Sequence, residues 1–469
     1  MSVPEAWVES NGNGEGSCFL SCGARMLGSL RVVDLDVLRE RLTNASTLRP
    51  EGRVLSVTGL GVRVALPGAK IGDVVRIVRR GREMLDAEIV GLTEGSAVAI
   101  PLGELLGVGL DDTVQTTTLP LEVLAGVGLL GRVVDGLGRP IDGQPLPQGL
   151  RRVRVDASPP AALERTPIRE QLVTGVRAID ALTPIGKGQR IGLFAGSGVG
   201  KSTLLGTIAK NAQVDAIVVA LVGERGREVG EFLEHSLGSE ARRRATVVVA
   251  TSDSTALERL RAAQTATALA EALRDDGKHV LLLVDSITRF ARAQREVGLA
   301  AGEPPARRGY PPSVFAAIPK LVERAGTSAR GAITAFYTVL VEGSDLEEPV
   351  SDEVRGTLDG HILLERALAA RGHYPPIDVV NSLSRLAPAL VTSEHLRMAE
   401  TLRRSVALDE SKRELVSLGA YVKGSDAALD RVLSYRDAIE RFLRQPSKVR
   451  SPLTETLTEL SALAVKLGA

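Results

Sequence analysis

Aromatic side chains are scarce in this chain. Seven Phe, five Tyr and one Trp make up 3% of 469 residues. Few platforms therefore exist for stacking bases, and residues 50–118 carry no Phe, Tyr or Trp at all. Cysteine is nearly missing: Cys18 and Cys22 are the only two. A zinc site would need two more ligands, and none of His235, His279, His361, His373 or His395 is near them in sequence. Two reduced thiols in a cytosolic protein is the simpler reading. No run of 18 apolar residues occurs, which gives no expectation of a membrane span. Met1–Leu30 lacks the basic start and long apolar run of a secretory signal. No charge sign dominates, with 58 Lys and Arg against 57 Asp and Glu. The chain as a whole is not drawn to nucleic acid or to an anionic membrane.

The length is enough for about two to three domains. Residues 1–49 read as a flexible and helical segment. NGNGEGS at Asn11–Ser17 has linker composition, Asp34–Asn44 has helical apolar spacing, and Trp7 stands alone. Residues 50–118 alternate short β-rich runs with glycine turns, the pattern of a small β-barrel. Residues 119–388 change to strand–helix–strand order. GQRIGLFA, DAIVVALVG, ATVVVATS, HVLLLVDS, GAITAFYTVLV and HILLE are near-continuous apolar strands. Helices are expected after Lys201, from about Arg227, over Thr255–Arg274 and over Ile287–Val297. Strands of that kind belong to a parallel sheet covered on both faces. Residues 389–469 read as helices, with apolar spacing in LRMAETLRRSVAL, ELVSLGAYV and AIERFLRQ. Arg242–Arg244 is read as a solvated cluster at a helix end, facing the negative terminus.

The richest stretch is Ile191–Thr203, IGLFAGSGVGKST. A short apolar strand runs into a glycine turn and then a helix start. Gly196, Gly198 and Gly200 let the backbone N–H groups of the turn, including those of Ser197 and Val199, converge on one concave space. Lys201 adds a mobile cation, and Ser202, followed by Thr203, adds a hydroxyl able to ligate Mg²⁺. Together they form a cradle for a nucleoside triphosphate. The strict G-x-x-x-x-G-K-[ST] pattern has glycine where this chain has Ala195. The fold class that follows is α/β: a P-loop NTPase core with a parallel sheet, preceded by a small β-barrel and followed by an α-helical C-terminal region.

Hydrolysis needs more than a cradle. Asp285 ends the apolar strand HVLLLVDS, where a carboxylate can hold Mg²⁺ through its water shell. The alternative there is a helix cap from Asp285 or Ser286. Glu224, in GERGREV, follows another apolar strand and reaches the same sheet edge. It can orient and polarise an attacking water, with Arg225 touching the γ-phosphate and Glu228 bracing the loop. A solvated charged turn is the plain alternative.

AGSGVGKS, GERGREV, LLLVDSITRFARAQREVGLAAGEPP, RGYPPSVFAAIPKLVERAG, TAFYTVLVEGSD, VRGTLDGHILLER and HYPPIDVVNSLSRL occur in that order. The set resembles the type III secretion export ATPases, flagellar or injectisome, which are relatives of the catalytic β subunit of rotary ATP synthases. The likeness runs from about residue 50 to the end. It implies an ATPase using ATP and Mg²⁺, with phosphates and metal at Gly196, Gly198, Gly200, Lys201, Ser202 and Thr203. Glu224 would be the catalytic carboxylate, Arg225 a γ-phosphate contact and Asp285 the metal-side acid. Arg289 would lie near the site. Tyr374 in HYPP would pack on adenine, and Arg385 in NSLSRL would be the arginine finger that reaches a neighbouring subunit. Ala195 in place of glycine is tolerated in the export branch.

Because Glu224 and Arg385 lie on one chain, a homohexamer in which each copy completes its neighbour's site is expected. The resemblance further implies a regulator or stator protein at the N-terminus, a central coiled-coil stalk, an export gate, and chaperone–substrate complexes at the C-terminal region. It implies a cytoplasmic protein on the inner-membrane face of the secretion apparatus. Three other readings compete: a synthase catalytic subunit, a nucleotide-binding subunit without turnover, and an RNA translocase. AGSGVGKS and GYPPSVF speak against the first, Glu224 against the second, and the aromatic-free residues 50–118 against the third, so no nucleic-acid partner is expected.

Overall fold

A computed structural model describes residues 50–117, 120–341 and 347–468. The readings of Trp7, Cys18, Cys22 and Asp34–Asn44 lie outside the described residues. Six strands, Glu51–Thr58, Gly61–Ala65, Val74–Val78, Leu85–Thr93, Ser96–Pro101 and Thr113–Thr116, close into a barrel in the order first, second, fifth, fourth, third, sixth. Its interior is filled by Val54, Val62, Val64, Val75, Ile77, Ile89 and Val114. These β-branched side chains alternate inward with polar residues facing out, so the barrel closes without aromatics.

The central sheet has nine strands, eight of them on one path. From edge to edge these are Ile377–Ser384, Gly360–Leu364, Arg190–Ala195, Ala332–Leu340, His279–Asp285, Ala216–Glu224, Ala245–Thr251 and Val133–Asp135. All neighbours on this path are parallel except the Gly360–Leu364 and Ile377–Ser384 pair, which is antiparallel. Both faces are covered, as the unbroken apolar runs require. Along Ala216–Glu224, Val218, Ala220 and Val222 pack into one core with the Ala256–Asp275 helix, while Ile217, Val219 and Leu221 pack into the other. That second core also takes in the Lys201–Asn211 helix and apolar residues from the C-terminal helices.

The Ala256–Asp275 helix begins one residue after its cap. Thr255 accepts from the backbone N–H of Glu258, and the Glu258 carboxylate accepts from that of Thr255. The polar helix expected from Arg227 is broken: a helix over Gly226–Glu231 passes into a π turn at Phe232–Leu237 and a further helix at Gly238–Arg243. Gly206 lies against the Ser236 backbone, so a side chain there would strike the π turn. The helical reading of ELVSLGAYV holds only as far as Ser417. Gly419, with φ of 68°, turns the chain out of the helix, and the next one starts at Ala427. Ile377–Ser384 is a strand that the sequence pattern does not announce; IDVVNSLS alternates weakly and sits at the sheet edge, where no second face demands an apolar run.

Arg244 does face a negative helix terminus, but that of a different helix. Its guanidinium donates to the carbonyls of Ala209 at 3.0 Å, Lys210 at 3.2 Å and Val214 at 2.9 Å, capping the Lys201–Asn211 helix. The barrel is tied to the core by a buried ion pair between Glu88 and Arg261 on the Ala256–Asp275 helix, with one contact at 2.9 Å.

Candidate active site

The strands Arg190–Ala195, Ala216–Glu224, His279–Asp285 and Ala332–Leu340 all point their C-terminal ends at one cleft. There the chain passes from Ala195 through Gly196–Gly200 into the Lys201–Asn211 helix. Gly198 and Gly200 have φ of 78° and 96°, a conformation that L side chains rarely adopt. Gly200 is the residue from which the helix starts, so the free N–H groups of the first turn open on the cleft. A cavity of about 610 Å³ is lined there by Gly196, Ser197, Gly198, Lys201, Glu224 and Arg289, among others. Val199 turns its side chain into the core, whereas Ser202 and Thr203 are exposed in the helical first turn.

Glu224 is brought to the cleft by a register shift. Between Val222 and Glu224 the pairing with Ala245–Thr251 slips by one residue, at Gly223 with φ of 67°. Glu224 is 5% exposed. Its Oε2 pairs with Arg289 at 2.9 Å, and its Oε1 lies 3.6 Å from Lys201 Nζ and has no hydrogen-bond partner among the described residues. Arg289 is fixed by a second bond, to the Gly223 carbonyl. Lys201 Nζ donates to Asp285 Oδ1 at 2.5 Å, and Thr338 donates to the same oxygen at 2.7 Å. Asp285 is thus a site carboxylate, and the helix cap falls to its neighbour Ser286, which accepts from the Arg289 N–H. Arg225 lines the same cavity with a side chain 75% exposed and pairs loosely with Glu228 at 3.4 Å.

Burial pushes the Glu224 carboxyl up to about 7, and the negative charge of Asp285 adds to the rise against the opposing cations Lys201 and Arg289. The folded state therefore holds this proton more tightly than the unfolded chain. The stability it contributes is full below about 4.5 and is lost as pH rises through about 7. Glu224→Gln, which cannot ionise, escapes that loss. In nucleotide-free protein the melting temperature of the variant is expected to gain on the wild type between pH 5 and pH 8. Parallel melting curves across that range would contradict the burial argument.

A second cavity, of about 480 Å³, opens on the other side of the same helix start and shares Gly200 and Thr203 with the first. Tyr374, 51% exposed, forms one wall with Pro375 and Pro376; Val176 and Leu204 form another; Gln445–Lys448 close it. The second cavity is walled mostly by apolar side chains, whereas the first is lined by the glycine turn, Lys201, Glu224 and several arginines. Sequence reasoning missed Val176 and Gln445–Lys448, which come from distant segments. It also missed Thr338, although a threonine inside the apolar run TAFYTVLV was a signal, and Arg366, which donates to the Ser197 carbonyl at 3.4 Å. Arg385 is not brought to this cleft. It is exposed just past the edge strand Ile377–Ser384, its backbone N–H on the Asp359 carbonyl and its guanidinium on that of Arg355.

A parallel sheet with a phosphate loop at its C-terminal edge and two carboxylates beside it defines a nucleotide-hydrolysing P-loop protein. Residues 175–384 match the ATP synthase alpha/beta family, nucleotide-binding domain, and residues 391–462 match the T3SS EscN ATPase C-terminal domain. The flagellum-specific ATP synthase of Bacillus subtilis is 48% identical over 88% of this chain and 94% of its own length. The type 3 secretion system ATPase of Xanthomonas euvesicatoria is 46% identical over 93% and 99%. The assembled ATPase EscN of enteropathogenic E. coli superposes with a TM-score of 0.84 at 43% identity, covering 88% of this chain and all of that one. The chain belongs to the type III secretion and flagellar export ATPase family, whose activity is ATP hydrolysis that energises protein export. Among the described residues no helix is long and apolar enough to cross a membrane.

Proposed function

We propose that ATP binds with its base against Tyr374 and its phosphates along Gly196–Thr203, and that the site is completed by Arg385 of a neighbouring copy in a homohexamer. The observation that carries this reading is the position of Arg385: exposed and outside a cleft that is otherwise equipped with cradle, cation and carboxylates. Glu224 takes a proton from the attacking water as the water oxygen bonds to the γ-phosphorus, and the bond to the β–γ bridging oxygen breaks, leaving ADP and phosphate. Lys201 transfers its charge from Asp285 to the phosphates, and Arg225 supplies a second cation from the cavity rim. Mg²⁺ would be held by the Ser202 hydroxyl at the helix start and, across water, by Asp285 at the strand end, both oxygen donors of the kind this ion takes. When bound, the metal neutralises phosphate charge and draws the Glu224 carboxyl toward its ionised form.

The partners follow the family. EscN is known in complex with its central stalk EscO, at 43% identity to this chain, and an equivalent stalk is proposed here. A regulator at the N-terminus, an export gate, and release or unfolding of chaperone-bound cargo at the C-terminal helices are proposed with it, in the cytoplasm at the inner-membrane face. The test is Mg²⁺-dependent ATP hydrolysis per molecule as protein concentration rises. Specific activity is expected to climb and then level off as copies associate. A flat profile down to concentrations where the chain sediments as a monomer would mean that one copy holds a full site.

A further inference from the structure

We infer that Gln445, on the segment between the Arg436–Leu443 and Leu453–Leu467 helices, is the residue that sets the width of the base chamber. It is a positioning residue acting through Val176 and Tyr374, and this rests on the reading that the base of ATP occupies that chamber.

The chamber has two walls from segments far apart in sequence, the Gly175–Val176 turn and the Tyr374–Pro376 turn. Gln445 holds both. Its backbone N–H donates to the Tyr374 carbonyl at 2.9 Å. Its side-chain Oε1 accepts from the Arg177 N–H at 2.8 Å, and its Nε2 donates to the Gly175 carbonyl at 2.7 Å and the Val449 carbonyl at 2.7 Å. The residue is buried, so these bonds are made away from competing water. Both donors of the amide and one of its two acceptor sites are therefore spent on backbone, which leaves it no N–H to offer a ligand.

A second link to the Tyr374 wall runs through Arg444, whose guanidinium donates to the Gly372 carbonyl at 2.9 Å, and the first wall is braced separately. Asp180 braces the first from behind, accepting from the N–H groups of Thr174 at 2.8 Å and Gly175 at 2.9 Å, but it does not reach the Tyr374 turn. Arg177 adds a tie from that same wall to the C-terminal helices, pairing with Glu459 at 2.6 Å and donating to the Arg444 carbonyl at 3.0 Å. Gln445 is thus where the base chamber and the C-terminal helical region share one set of hydrogen bonds. Loosening it should splay the base chamber and leave the phosphate loop, which sits on the central sheet, in place.

The readout is a split between two ligands. Enzyme is held at a concentration where specific activity is level. KM for MgATP and the inhibition constant of inorganic tripolyphosphate, which has no base, are measured for wild type, Gln445→Ala and Tyr374→Ala, with a melting curve for each. For Gln445→Ala, which loses three buried side-chain hydrogen bonds and keeps the backbone bond to Tyr374, KM for MgATP is expected to rise about tenfold. Its tripolyphosphate constant should stay within about twofold, near wild type on the scale of ordinary assay scatter. Should Gln445→Ala fail to fold, Gln445→Glu carries the same test. It keeps the volume and the acceptor for Arg177 and removes the donation to Gly175 and Val449. The inference is overturned if KM stays at the wild-type value while Tyr374→Ala raises it, or if both constants rise together. If Tyr374→Ala also leaves KM unmoved, the base does not lie there, and the underlying reading fails with it.

Discussion

Glu224→Gln is expected to lower kcat for MgATP hydrolysis by roughly 10²- to 10⁴-fold, the range removed with a general base. The amide keeps the shape of the carboxyl and can still bond Arg289, so the cleft should stay intact. What it loses is the ability to take a proton from water. Glu224 Oε1 is the atom concerned: buried, without a hydrogen-bond partner among the described residues, and 3.6 Å from the lysine of the phosphate loop. Nucleotide affinity should change little, because the cradle and the base chamber are untouched. Single-turnover hydrolysis together with equilibrium binding of a fluorescent nucleotide separates the two effects. A variant that turns over at the wild-type rate would remove Glu224 from the chemistry and shift attention to Glu228.

Arg385→Ala is expected to reduce kcat by about 10³-fold or more, as loss of an arginine finger does in phosphoryl transfer. The reason is electrostatic: a fixed guanidinium beside the transferring group stabilises charge that develops only in the transition state. Among the described residues the guanidinium hydrogen-bonds just the Arg355 carbonyl, at 3.4 Å, so its removal should leave the fold of the single copy unharmed. The two variants make a sharper experiment together than apart. On the proposed reading, each interface of a head-to-tail ring would take Glu224 from one copy and Arg385 from the next. Mixing the two inactive proteins and reassembling them should return activity, since roughly a quarter of random interfaces would then hold both groups. No recovery in a mixture shown to co-assemble would place the finger in its own chain's site or outside catalysis.

Much of the site is legible in the sequence because its parts are local. A phosphate loop is one continuous segment whose glycines, lysine and hydroxyl act through their spacing, and Asp285 and Glu224 each end an apolar strand. Parallel strands in one sheet present their ends on one edge, so three separate strand ends imply one cleft. Arg385 and Tyr374 are different. Nothing in the spacing around them marks a role, and only the order of longer motifs singles them out.

The sequence by itself determined the class of the fold, the phosphate cradle and the two carboxylates, because period, glycine placement and strand length act over a few residues. It also determined that the barrel could be built without aromatics, since alternating valine and isoleucine suffice to fill it. Only the tertiary structure decided that the Glu224 carboxyl is pushed up, because its burial and the charges of Asp285, Lys201 and Arg289 around it come from other segments. It alone decided that Arg244 caps the phosphate-loop helix, that a π turn interrupts the helix after Arg225, and that Gln445 joins the walls of the base chamber. Those arrangements depend on residues tens to hundreds of positions apart, and such pairings leave no period or motif in a single sequence.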